Sequence, residues 1–453
     1  MNIVLGLLLS LPLLIVVHEY GHYRVARWCG VRVLRFSVGF GQVIWRRQAS
    51  SDATEFVISA IPLGGYVRWL DTRVDEVPSG QLTEAFDKKP LWQRSAIVAA
   101  GPLINLALAV LLYACAYWVG MDEPRAVLSS PPAHTLAADA GLSAGDWVRA
   151  SASVDGDWDD VESLNDLSWQ VTQAALRGED LQLQLTDIDG GHRRQATLRL
   201  SALAGQELDA AAMQRVGMAA YREPVMGAAF RGGPAERAGL RAGDRVLSID
   251  GQPVPDAQAL LDRVRAHNDP EMPPMHWSVE RAGQRVDLDV TPRQDKDGDK
   301  VIGRIDAPVG SQALMTTVRL GPWDGVARGF QRTSEMIGLS LRMLGRMLIG
   351  QASLRNLSGP ITIGDYAAQS LRMGPSYFLG FLAMVSVSLG VLNLLPLPML
   401  DGGHLMYYLF EGVTGRPVSD LWLKWLQRSG AFVLLLMMPI ALSNDVARIL
   451  GLQ

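Results

Sequence analysis

His18-Glu19-Tyr20-Gly21-His22 is the densest group of chemically capable side chains in the sequence. On a helix, residues four apart share one face a single turn apart, so His18 and His22 can offer imidazole nitrogens to one metal ion. Glu19 stands beside the first of them, where a carboxylate can take a proton from a water acidified by the metal. Zinc suits such a site, because it accepts nitrogen and oxygen ligands and makes a nucleophile available near neutral pH. A catalytic zinc takes three protein ligands and keeps one position open, so a third ligand must come from elsewhere in the chain. The best candidate is Asp401, in Asn393-Leu-Leu-Pro-Leu-Pro-Met-Leu-Asp401-Gly-Gly-His404. His404 is its rival, and a plain helix-terminating turn is the other reading of the segment. Two prolines break a helix there, and the two glycines after Asp401 free the backbone. With only two cysteines, Cys29 and Cys115, a disulfide framework and a cysteine-ligated zinc are both excluded.

The elements that must position these residues are apolar. The mean hydropathy of +0.12 is high for a soluble enzyme. A net charge of −4 with no long basic run argues against nucleic acid as a partner. Four segments approach the roughly 20 apolar residues that a bilayer crossing needs. They are Met1–Val17, continuing to about Arg27; Ser95–Met121; Met373–Leu400; and a stretch centred on Ser429–Ser443 that extends back through Leu421–Leu426. The first reads as a span and not as a cleaved signal peptide, since no Lys or Arg precedes Arg24 and no Ala-x-Ala site follows. His18, Glu19 and His22 interrupt it, at a cost of roughly 2.5–3.5 kcal/mol for a charged group at mid-bilayer on insertion scales. The eleven Lys and Arg residues between Arg24 and Arg94 put the loop between the first two spans in the cytoplasm. The N-terminus and residues 122–372 then lie outside.

Ala140-Gly-Leu-Ser-Ala-Gly-Asp146 recurs 98 residues later as Ala238-Gly-Leu-Arg-Ala-Gly-Asp244. In the second copy a short helix ends at a glycine, a strand follows, and Asp250-Gly251 makes a turn. The pattern resembles the circularly permuted PDZ domains of bacterial proteases. Such domains bind an extended peptide or C-terminus by strand addition, or act as a steric filter. Leu34–Trp45 and Glu55–Trp69 read as strands directly after the His-Glu helix. They are expected to form a hairpin or small sheet dipping towards the zinc, with Gly39 and Phe40 handling substrate; a cytosolic hairpin is the alternative. Trp323–Ile349 mixes apolar residues with arginines, as amphipathic helices on the outer membrane surface do.

Together, His18-to-His22, the tandem repeat, Ala99-Ala-Gly-Pro-Leu-Ile-Asn105, Ser358-Gly-Pro-Ile-Thr-Ile-Gly364 and Asn393-to-Gly403 resemble the site-2 protease family, over essentially the whole chain. The resemblance implies a polytopic α-helical membrane protein of the bacterial inner membrane with four transmembrane helices. It also implies a membrane-associated β-hairpin or sheet and two extracytoplasmic α+β PDZ domains. The expected division is 1–121, 122–215 and 216–309 for the PDZ pair, 310–372, and 373–453. His18 and His22 match the family's zinc ligands, Asp401 its aspartate ligand, Glu19 its catalytic glutamate, and Asn393 an asparagine that handles unwound substrate. Implied substrates are single-span proteins cut within the bilayer from the cytoplasmic side. One class is a pre-trimmed anti-sigma factor and another is leftover signal peptides. A non-catalytic PDZ scaffold has no need of Glu19 or Asp401. A metal transporter should spread ionisable residues over several spans.

Overall fold

The computed structural model describes residues 3–50, 52–153, 156–203, 210–297, 300–348 and 359–416, with isolated positions beyond. The fourth apolar segment, Ser429–Ser443, lies outside the described residues apart from Pro439. The chain divides into two compact units, Met1–Met121 with Arg319–Gln453, and Asp122–Val318.

In the first unit, helix α1 (Ile3–Trp28) carries the His-Glu motif. It ends where Gly30 turns to φ +68° and the Val31 N–H returns to the Ala26 carbonyl at 2.9 Å, a glycine C-cap. Strands β1 (Val33–Arg47) and β2 (Glu55–Trp69) follow, then helix α2 (Leu91–Val119). The two strands form a small sheet, the second of the two expected forms, and not a simple hairpin. Arg35, Phe36, Ser37 and Val38 each face two partners: Arg68 and Glu55, Val67 and Phe56, Tyr66 and Val57, Gly65 and Ile58. Beyond Gly39 and Gly41, at φ +89° and +85°, β1 bends and Val43–Arg47 pairs with Phe56–Ser59. Val33–Val38 is therefore an inner strand, and Gly65–Trp69 lies at the sheet's edge. Tyr23 of α1 packs its ring edge against Phe36 and Phe56, which seats the sheet on the helix.

The second unit is opened by β3 (Met121–Pro124). Its first half holds α3 (Leu136–Asp139), β4 (Trp147–Ser153), β5 (Asp159–Asp160), α4 (Leu164–Arg177), β6 (Leu181–Thr186), β7 (Arg194–Leu198) and α5 (Ala210–Val216). The second half repeats the plan with α6 (Pro234–Arg237), β8 (Arg245–Ile249), β9 (Gln252–Pro253), α7 (Ala257–Ala266), β10 (Met275–Arg281) and β11 (Gln284–Val290). The sheet orders, β5-β4-β6-β7 and β9-β8-β10-β11, correspond strand for strand. A hairpin of β12 (Arg293–Asp297) and β13 (Lys300–Arg304) follows, and β14 (Met315–Val318) pairs with β3 as the chain leaves.

The repeated aspartate has one job in both copies. Asp146 accepts from the Ser143 N–H and pairs with Arg194, which also reaches the Gly141 carbonyl. Asp244 accepts from the Arg241 N–H and is gripped by Arg281, which reaches Gly239. Burial pushes the Asp244 carboxyl up, but the Arg281 guanidinium outweighs it and holds the group below the usual carboxylate value.

Back in the first unit come α8 (Pro322–Leu348), α9 (Pro360–Met373), α10 (Pro375–Leu394) and α11 (Asp401–Thr414). Helices α1, α2 and α10 are long and apolar enough to cross a membrane. The amphipathic stretch is one continuous helix, and α8 runs back along the end of α2. A Cβ at Gly325 would meet the Trp118 ring, and one at Gly329 would meet the Val110 carbonyl at 2.5 Å. Its first turns are thus packed on α2.

Asp445 reaches back to the start of α9, where helix N–H groups lack partners of their own. It accepts from the N–H groups of Gly359 and Ile361, each at 2.9 Å, and from the Thr362 hydroxyl. Asp445 is 1% exposed, so its loss strands several buried donors. Asp445→Ala should destabilise the folded protein by on the order of 3 kcal/mol, read as a lower thermal midpoint in detergent. An unchanged midpoint would rule this anchoring out.

Candidate metal centre

α1 presents His18 and His22 to the same side, and Asp401 meets them from the first turn of α11. The side chains are 11%, 6% and 20% exposed. His18 Nε2 and His22 Nε2 are 3.2 Å apart. Asp401 Oδ2 lies 3.2 Å from the first and 3.5 Å from the second. Ligands at about 2.0–2.1 Å on a tetrahedral zinc sit about 3.3–3.4 Å from one another, so this triangle fits the ion. The donor set also fits, since these three residues are the one His/Cys/Asp/Glu group able to hold a metal among the described residues. Zinc held there supplies Lewis acidity, lowering the pKa of a water and polarising a carbonyl. His404, one turn further along α11, is outside that group, with its ring edge against Tyr407.

Asp401 is aimed by the broken backbone before it. α10 ends at Leu394, Leu395 is extended, and Met399 takes φ +82°, a strained value for a side chain of its size. The two glycines have a different role from the expected one. Both are helical, and a Cβ at Gly402 would lie 2.2 Å from the Leu395 carbonyl, one at Gly403 2.4 Å from that of Leu397. They let the Pro-rich turn fold flat onto α11. Further along, Glu411 takes a two-pronged ion pair from Arg94 of α2 at 2.6 and 3.1 Å, and Arg94 lies over the Tyr408 ring. That clamp fixes the direction of the helix bearing Asp401.

Glu19 faces the sheet. Its Cγ would be 3.1 Å from a Cβ at Gly65, and its carboxylate has the Val67 backbone as a hydrogen-bond partner. The strand against the site is thus Gly65–Trp69. Gly39 and Phe40 stand one step back, with the Phe40 ring stacked on Tyr66 and filling the space over Gly64. Asn393 is half-buried in the last turn of α10, with no side-chain hydrogen bond among the described residues.

Sequence reasoning missed what α2 contributes. His22 Nδ1 donates to the Ile97 carbonyl at 2.8 Å. A carbonyl can only accept, so the Nε2 lone pair is left for a metal. Gly101, one turn on, lies flat against both imidazoles: a Cβ there would be 2.2 Å from His22 Nε2 and 2.8 Å from His18 Cε1. Asn105, a further turn on, faces His18 Nδ1. Their sequence signal was the Ala99-to-Asn105 stretch, which carried a family resemblance but assigned no role to Gly101 or Asn105.

Two histidines and an aspartate able to hold a metal, with a glutamate beside them among bilayer-length helices, are the residue types a membrane zinc metalloprotease needs. The profile of Peptidase family M50 matches residues 6–437. A protein of Ralstonia nicotianae named as a zinc metalloprotease is 40% identical over 462 residues, covering 98% of each chain. The Regulator of sigma E protease of Haemophilus influenzae is 36% identical over 451 residues, and that of Salmonella typhimurium 35% over 456, again covering 98% of each. The chain belongs to peptidase family M50 and is a zinc metalloprotease of the site-2 type.

Gly101→Ala tests the stripe on α2. Alanine favours a helix interior by roughly 0.8–1 kcal/mol over glycine, so the helix itself is not harmed. The imidazoles must shift, and a displacement near 1 Å can cost about 10²-fold in rate. A loss of that size is expected in cleavage of a membrane-spanning substrate, and wild-type activity would contradict the packing described.

Proposed function

We propose that His18, His22 and Asp401 hold the zinc, and that Glu19 takes the proton from the attacking water and hands it to the leaving amine. The observation that carries this reading is the ligand triangle lying next to Glu19, which itself abuts an edge strand. A substrate helix hides its peptide bonds in its own hydrogen-bond ladder and must unwind before it is cut. Gly65–Trp69 offers a place for the unwound chain. The Leu70 N–H bonds inwards to the Arg32 carbonyl, so alternation turns the backbone groups of Gly65, Val67 and Trp69 outwards. A strand added there passes Glu19. Asn393, whose side chain makes no hydrogen bond among the described residues, is available to hold the chain, and the Gly39–Phe40 bend supports the edge through Gly64.

The substrates are the membrane segments of single-span proteins. The relatives named as sigma E regulators favour an anti-sigma factor trimmed outside beforehand, with leftover signal peptides as a second class. The protein sits in the bacterial inner membrane with four spans and its site towards the cytoplasmic side. The two repeats are PDZ domains outside the membrane, binding a peptide end or screening substrates by size.

Glu19→Gln in the full chain should bind zinc as wild type does yet lose cleavage of a model single-span substrate, as chelation does to the wild type. Persisting cleavage by purified Glu19→Gln protein would refute the mechanism. Absence of cleavage by the wild type itself would instead favour the scaffold or transporter readings. Phe40→Asp should lower cleavage by about 10-fold or more while zinc content is kept, because a charge at the bend disfavours its seat in an apolar setting. Unchanged cleavage would remove the bend from substrate handling.

A further inference from the structure

The polar atoms of Asn105 have no role in the reading above. The residue is fully buried, its Nδ2 lies 3.3 Å from His18 Nδ1, and its Oδ1 has no hydrogen-bond partner among the described residues. An amide nitrogen facing Nδ1 suits a ring whose proton is on Nε2, and such a ring has no lone pair left for a metal. The amide's oxygen and nitrogen exchange places by a half-turn about the last side-chain bond. After that turn Oδ1 accepts from Nδ1–H, and Nε2 is the free donor.

We propose that Asn105 is a positioning residue for His18, its side-chain carbonyl fixing the ring proton on Nδ1 and leaving Nε2 to the zinc. This rests on the assignment of His18 as a ligand. Ile97, Gly101 and Asn105 are successive turns of one face of α2. The first accepts from His22, the second admits both rings, and the third faces His18 Nδ1 with its side-chain amide, which accepts from the ring once turned. In this arrangement one histidine is held by a main-chain carbonyl and its partner, one turn away, by the turned side-chain amide. The backbone at Asn105 is itself fixed, because its carbonyl accepts from the Ser386 hydroxyl of α10 at 2.7 Å. Outer-shell partners of this kind are worth about 10–100-fold in metal affinity.

Two variants of the full chain in detergent separate this role from packing, with zinc affinity measured by competition against a chromogenic chelator. Asn105→Leu keeps the volume and removes the acceptor, and should weaken zinc about 10–100-fold with helix content preserved. Asn105→Asp keeps an acceptor for Nδ1–H, and should hold zinc at least as tightly as wild type. A packing role predicts the reverse order, with leucine tolerated and a buried carboxylate harmful. Wild-type zinc affinity in folded Asn105→Leu protein overturns the proposal. If that variant does not accumulate, loss of zinc by folded Asn105→Asp protein overturns it instead. His18→Ala is the control: if it keeps zinc at wild-type affinity, the ligand assignment has failed, whereas loss there with retention in Asn105→Leu defeats the Asn105 role alone.

Discussion

Two imidazoles and two carboxylates are enclosed by apolar helices, and the surrounding structure answers the cost of keeping them there. A polar group in such a place must have a partner. His22 has the Ile97 carbonyl, and Glu19 has the Val67 backbone. Asp401 has the two rings. These partners come from three different segments, so α1, α2, β2 and α11 are bound to one another by the site they build. Close approach makes the arrangement possible. A Cβ at Gly21 would be 2.6 Å from the Ala100 carbonyl, so α1 and α2 touch backbone to backbone beside the histidines.

The same constraint explains which parts of the site were legible in the sequence. His18, Glu19 and His22 could be placed because a helix has one period, and four residues always make one turn. Asp401 was legible because prolines and glycines around a carboxylate in an apolar run have few structural explanations. The α2 stripe was not. Ile97 acts through its main-chain carbonyl, which leaves no trace in residue type, and Gly101 acts by lacking a side chain. The glycines after Asp401 misled for a related reason. In sequence they signal a free backbone, yet here they are helical and serve a close approach to Leu395 and Leu397.

In the sheet, alternation marked two strands nearly to their observed ends, but not which backbone would lie beside Glu19. Pairing is a long-range choice, and β1 takes partners from both ends of β2. In the second unit the repeated Ala-Gly-Leu-x-x-Gly-Asp core was readable because its chemistry is local: a glycine cap, then an aspartate closing the turn onto nearby N–H groups. The arginines that complete each aspartate's surroundings, Arg194 and Arg281, come from different strands of the two sheets, and no spacing announced them.

The central claim is the identity of the three atoms around the metal. X-ray absorption at the zinc edge of the purified full chain, wild type beside Asp401→Ala, tests it most directly. Two imidazole nitrogens and oxygen ligands at about 2.0–2.2 Å are expected in the wild type, with a carboxylate oxygen lost in the variant. A third imidazole in place of the carboxylate, or a spectrum that Asp401→Ala leaves unchanged, would contradict the account.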